Sequence, residues 1–206
     1  MMRPLRFALL LVMAAAPLAF GRPLEQPPLH PGESLSGRFV QERHLAGLSA
    51  PLVSQGRFLL AAGKGLVWHT EKPFDTTIVI TPAGLLQLVD GREVQRLPAA
   101  RAPFLARLYT MLGGALGGDW SAMAQDFSVE RRSGEAGWTI LLKPLAGDDP
   151  AAAPLQSIAV AGSAFVDSVE IRRPNGDWDH LRFSDEVRSS APLAGADARL
   201  LETDAP

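Results

Sequence analysis

Four histidines, His30, His44, His69 and His180, stand too far apart along the chain for a short ligand spacing such as His-x-x-x-His. The chain has no cysteine, so it has no thiol nucleophile, no disulfide and no N-terminal cysteine to carry a lipid. No Gly-x-Ser-x-Gly elbow is present to expose a serine at a strand-to-helix turn. Asp177 and Asp179 fall on one face of a strand after a turn, where a solvated turn edge is expected rather than a catalytic carboxylate pair. No catalytic residue, no metal site and no cofactor is expected, and the chain is not read as an enzyme. The chemistry the residues do offer is removal of apolar surface from water. It is concentrated between Gly56 and Pro73, where two apolar runs flank a glycine-marked turn.

That stretch predicts a hairpin. Side chains alternate along a strand, so Gly56, Phe58 and Leu60 share one face and Leu66, Trp68 and Thr70 share the matching one. The next run, Phe74 to Thr81, adds Phe74, Thr76, Ile78 and Ile80 on a single face. Gly56 marks a place where the strand must bend or yield room. The result is a curved antiparallel wall with an apolar inner surface, which is either an ordinary packed core or a pocket that takes a lipid. The candidate wall residues are Phe39, Phe58, Leu60, Leu66, Trp68, Ile78 and Ile80.

The elements that must position this wall follow from pattern. Residues 1–21 read as an export signal: Arg3 and Arg6 precede an apolar run from Phe7 to Phe20, with Ala19 and Gly21 before a cut. That run is short for a membrane span, which needs about 20 apolar residues. Its removal makes the formal net charge of −2 more negative, and no basic stripe with interleaved aromatics suggests nucleic acid. Residues 22–33, with Pro23, Pro27, Pro28 and Pro31, form an extended lead-in. Strands are expected at Ser34–His44, Leu52–Leu60, Leu85–Val89, Arg92–Leu97, Phe127–Arg132, Trp138–Leu142, Leu155–Val160, Phe165–Arg172 and Trp178–Phe183. Asp90-Gly91 and Asn175-Gly176 are strong hairpin signals.

Between them the period changes. From Ala102 to Leu116 the apolar positions recur at three- and four-residue steps, an amphipathic helix, and Asp119 can cap a second short helix through Gln125. The helical insertion 102–125, with glycines at its joints, reads as a movable cover whose underside would be Phe104, Leu108, Leu112 and Trp120. Trp138 and Trp178 are read as packing or edge residues. One domain, 34–188, holds about ten or eleven short strands and is mainly β. A loosely held tail, 189–206, follows.

These residues resemble the periplasmic outer-membrane lipoprotein carrier family (LolA-like). The pattern is Phe39-Val40-Gln41, Gly56-Arg57-Phe58, Trp68 to Pro73, an Asp-Gly turn before the next strand, Gly118-Asp119-Trp120 ahead of Phe127, and a Trp138–Pro144 strand ending in Lys143-Pro144. It covers roughly residues 35 to 185. The resemblance implies an incomplete, strongly curved antiparallel β-barrel with a helical lid over its open side. It further implies a periplasmic monomer that carries acylated cargo, a lipoprotein or a glycolipid or polyene lipid, in an apolar cavity. The donor would be an inner-membrane exporter or release complex, and the acceptor an outer-membrane protein. One departure stands out: where the best-known carriers have Arg-Pro between these two strands, this chain has Ala62-Gly63. The family's lid is held shut by that arginine, so this chain needs another latch. Lys64 cannot supply one, because an ammonium lacks the planar fork of donors. The departure points to a divergent branch serving exporters of other lipids. The alternative is a protein-binding or sensory adaptor built on the same half-barrel.

Overall fold

The computed structural model describes residues 28–101, 114, 116–117, 120–134, 137–145 and 155–202. The expected export signal, most of the lead-in and the lid residues Phe104, Leu108 and Leu112 lie outside the described residues. Eleven strands form one sheet: β1 (Ser34–His44), β2 (Leu52–Ala61), β3 (Gly65–Lys72), β4 (Thr76–Thr81), β5 (Gly84–Val89), β6 (Arg92–Pro98), β7 (Phe127–Gly134), β8 (Gly137–Pro144), β9 (Ser157–Gly162), β10 (Val166–Arg172) and β11 (Trp178–Ser189). Their order is β6-β5-β4-β3-β2-β1-β11-β10-β9-β8-β7, and every neighbouring pair is antiparallel. The sheet is not closed, as the half-barrel reading requires. Its two free edges, β6 and β7, are consecutive in the chain. The connection between them therefore has to travel from one edge of the sheet to the other.

Register explains why the inner face is continuous. Leu35, Gly37 and Phe39 of β1 lie opposite Leu60, Phe58 and Gly56 of β2, and Leu60 and Phe58 lie opposite Leu66 and Trp68 of β3. Trp68 and Leu66 in turn lie opposite Ile78 and Ile80 of β4. On the other side Phe39 faces Phe183 of β11. Residues directly across antiparallel strands share a face, so one apolar row crosses five strands. A bulge opposite Ser36–Arg38 takes up one extra residue of β11, and Asp185 sits there at φ 55.

The apolar residues on the opposite face of β3 and β4 have their own partner. Ala61, Val67, Val79 and Leu86 pack with Leu201 of a C-terminal helix, Gly195–Glu202. This corrects the loose tail expected for 189–206: β11 runs to Ser189, and the helix buries Ala198 and Leu201 against the sheet. Asp197 at its first turn pairs with Arg57 of β2. The continuous apolar run Ile78-Val79-Ile80 is thus apolar on both faces because both faces are covered.

Other expectations shift in detail. Asp90 and Gly91 take φ 50 and 71, the left-handed pair of a type I′ turn. Asn175-Gly176 turns the chain as expected, within a longer loop. There the Asn175 carbonyl side-chain oxygen accepts from Asp177 N–H at 3.1 Å and Gly176 N–H donates to Arg173 O at 3.1 Å. The second short helix is a 3-10 turn, Ser121–Gln125, whose N-cap position is Trp120 with no side-chain cap. Phe74 does not join the wall. β4 begins at Thr76, and Phe74 is 76% exposed in the preceding turn.

Candidate functional site

The expected wall assembles around one strand pair. Phe39, at 1% exposure, stacks on Trp68 with centroids 3.9 Å apart and planes at 27°. Phe58 lies 6.2 Å from Trp68 and meets Phe183 edge-on at 5.6 Å. Phe183 also meets Trp68 edge-on at 6.2 Å. Four rings therefore interlock across β1, β2, β3 and β11 in the offset and T-shaped geometries that aromatic quadrupoles favour. Leu35, Phe58, Leu60, Leu66 and Leu116 form the adjoining buried cluster, with Leu29, Trp68, Phe165 and Phe183 packed against it. Ile80 is buried and Ile78 half-buried on the same face of β4.

Glycine shapes this floor at two points. Gly37 leaves room for the Phe58 ring, which would collide with a β-carbon there. Gly56 faces Phe39 at a register shift between β2 and β3, and a β-carbon on it would run into the carbonyl oxygen of His69. Since backbone rather than a side-chain tip blocks that space, Gly56→Ala is expected to lower stability by about 1–3 kcal/mol. Chemical denaturation of the purified variant measures it.

Trp120 packs over the β7–β9 part of the sheet. It belongs to a second cluster with Met123, Phe127, Trp138, Ile140, Leu142, Val160 and Val166, and meets Trp138 at 6.0 Å with planes at 66°. Trp138 is packing, as expected, and its indole N–H donates to Ser163 O at 2.8 Å. Trp178 stands at the strand end, stacked on His44 at 3.7 Å with nearly parallel planes. Phe183 touches both clusters, so the apolar floor continues from β4 across to β8. Leu116, Trp120 and Met123, all from the β6–β7 connection, lie buried against that floor.

The turn that lacks the family's arginine is tied differently. Ala62 N–H donates to Glu33 O at 3.0 Å, and the Glu33 carboxylate accepts from His30 N–H at 2.7 Å and from Arg188. Arg188 also donates to Pro28 O at 2.7 Å, and Leu29 N–H donates to Gly117 O at 3.0 Å. The end of the proline-rich lead-in thus joins the β2–β3 turn, β11 and the helical residues 116–117. The Arg188 hydrogen bond is the main reason the Glu33 carboxyl lies below the ordinary glutamate value, with His30 N–H helping.

Asp179 overturns its reading as a solvated turn residue. It sits on the inner face of β11, 1% exposed, and accepts from Arg43 Nε at 2.7 Å, Gln41 Nε2 at 3.0 Å and Arg173 at 2.6 Å. Burial pushes its carboxyl up; the bonds from Arg43, Arg173 and Gln41 outweigh that and hold it below the ordinary aspartate value. Asp177, its supposed companion, closes the turn by accepting from Ala46 N–H at 2.8 Å and from Asn175 at 2.8 Å.

An open groove of about 410 Å³ lies on the opposite face of β7–β11, floored by Thr139, Leu141, Ala159 and Ala161 and rimmed by Glu130, Arg132, Glu170 and His180. Its polar rim and floor residues have no part in the aromatic site. Among the described residues, no group of histidine and carboxylate side chains is placed to hold a metal ion. Among the same residues, no helix is long and apolar enough to cross a membrane.

The sequence model of the family described as outer membrane lipoprotein carrier protein LolA-like matches residues 26–201. No curated protein matches the chain. Among solved structures, a LolA superfamily protein from Nitrosomonas europaea is 10% identical with a TM-score of 0.39, covering 76% of this chain and 86% of that one. LprF from Mycobacterium bovis is 13% identical with a TM-score of 0.36, covering 79% and 89%. MucB of Pseudomonas aeruginosa, solved in complex with MucA, is 16% identical with a TM-score of 0.32; the alignment covers 78% of this chain and only 53% of MucB. With its family pattern running almost the whole described length, the chain belongs, as a divergent member, to the LolA-like family of outer membrane lipoprotein carrier proteins.

Proposed function

We propose that this protein is a periplasmic carrier that takes the acyl chain of a lipoprotein or other lipid against the inner face of its half-barrel and moves it from the inner to the outer membrane. The observation that supports this most directly is the path of the β6–β7 connection. It joins opposite edges of an open sheet and lays Leu116 and Trp120 against the apolar floor. A cover that packs on the floor through apolar side chains such as Leu116 and Trp120 can separate from it, and an acyl chain can take its place. Transfer from water is worth about 0.8 kcal/mol per methylene, so a fourteen-methylene chain gains about 11 kcal/mol gross. Displacing the cover offsets much of that and keeps binding reversible. Direction then comes from graded affinities along donor, carrier and acceptor.

Trp68 reports on this reading because it is half-buried within the aromatic floor. A fatty-acyl ligand is expected to shift tryptophan emission of the mature chain saturably, with Trp68 on the floor and Trp120 in the cover both contributing, and Trp68→Phe to reduce that shift while binding of a labelled acyl probe persists. Absence of acyl binding would overturn the carrier reading. An adaptor reading draws on Leu48, Leu52, Val53 and Phe74, which are exposed in or beside turns. A protein rather than a lipid retained on purification from the periplasm would favour it.

A further inference from the structure

The inner face is not uniform along its strands. On β1 the residues facing inward run Leu35, Gly37, Phe39, Gln41, Arg43, and on β11 they run Phe183, Leu181, Asp179. Ile171 of β10 lies opposite Asp179 and Val169 opposite Leu181. From the aromatic centre, therefore, one layer of Gln41, Leu181 and Val169 leads to a layer of Arg43, Asp179 and Ile171. Four residues of strand place Arg43 about 13 Å from Phe39. An apolar floor that ends in a charged layer has the polarity profile of an amphiphile.

The charged layer holds two partly exposed cations on one buried carboxylate. Asp179 is nearly inaccessible and uses one oxygen for Arg43 Nε and Gln41 and the other for Arg173 Nη2. The two arginine side chains it holds are 48% and 26% exposed. Arg43 donates to Asp179 through Nε, whereas a purely structural pair gains most from a bidentate fork. Leu52 lies across from Arg43 on β2 and is half-exposed, so the layer borders apolar surface as well as water. Asp177 brings a second negative charge to this end, with its oxygens committed to Ala46 and Asn175. The layer is therefore close to neutral overall, and a free anion gains little there. An anion delivered by a chain already seated on the floor meets oriented donors.

We infer that Arg43 and Arg173 form the headgroup end of the site, which makes the preferred cargo an anionic amphiphile, with a carboxylate or phosphate about 13 Å from the aromatic centre. This rests on the acyl-carrier reading. The test is displacement of a fluorescent acyl probe from the mature chain by dodecanoate, dodecyl phosphate, dodecanol and inorganic phosphate at equal pH and ionic strength. The anionic amphiphiles are expected to bind about tenfold more tightly than dodecanol, a preference that shrinks as salt rises. Inorganic phosphate alone is expected to displace nothing. In Arg43→Gln the anionic preference should fall to near unity while dodecanol binds as before. Should Arg43→Gln fail to fold, the preference and its salt dependence in the unaltered chain still decide. Equal binding of dodecanoate and dodecanol overturns the headgroup site and leaves the carrier reading standing, whereas failure of every amphiphile removes both. Displacement by inorganic phosphate would make the layer a plain anion site and overturn the proposal.

Discussion

Phe39→Ala is expected to lower stability by about 3–5 kcal/mol, the range for deleting a fully buried aromatic ring. The position admits little relaxation. Phe39 lies near the middle of β1, which is hydrogen-bonded on both sides, with Gly56 across one boundary and Phe183 across the other. Gly56 has no side chain to fill the gap, and the Trp68 ring stacked on Phe39 would lose its flat partner. Urea titration checks it: the midpoint should fall with the slope unchanged, since the surface exposed on unfolding stays nearly the same. A change under about 1 kcal/mol would mean that the aromatic floor is far looser than its geometry implies.

Asp179→Asn is the second large effect, expected at about 3 kcal/mol at neutral pH. An amide keeps the shape and loses the charge, which leaves Arg43 and Arg173 facing each other across an inaccessible neutral group. Partial exposure of both arginines keeps the loss at the lower end of the range for broken buried pairs. The pH dependence carries a definite sign. The folded-state value lies below the ordinary 3.8, so the folded state favours the ionised form. That contribution is fully present above the ordinary value and is lost as pH falls through the folded one. Melting curves of the unaltered chain should therefore drop through this acid range, and those of Asp179→Asn should lose part of that drop.

Much of the β architecture was legible from alternation and turn chemistry. The wall of Phe58, Leu60, Leu66 and Trp68 follows from a period of two on either side of a glycine turn, and both strand faces landed where alternation puts them. Phe74 shows the limit: its parity was right, and strand pairing begins two residues later, so the ring stays in water. Phe183 was passed over because its importance lies in being opposite Phe39, a pairing between residues at nearly opposite ends of the chain. No local pattern encodes that. Asp179 misled for a related reason. A carboxylate beside an Asn-Gly turn reads as solvated until Arg43, Gln41 and Arg173 are brought around it by the β1–β11 register. The C-terminal helix hid in an Ala- and Asp-rich composition. Its buried stripe is Ala198 and Leu201, one turn apart, and the face they cover, with Val67 and Val79, lies on the side of β3 and β4 opposite the aromatic wall, a side left unassigned from sequence.

The open rims of the sheet have a consequence for how copies of this protein behave when crowded. β6 carries Arg92, Glu93 and Arg96, and β7 carries Glu130, Arg131 and Arg132. A neighbour attempting to add its own border strand would have to bring such charges into register and strip water from them, which disfavours end-on stacking into ribbons. A half-barrel whose two border strands pair with no further strand among the described residues can thus stay dispersed at high concentration, with the backbone groups of those borders guarded by ionic side chains rather than by closure.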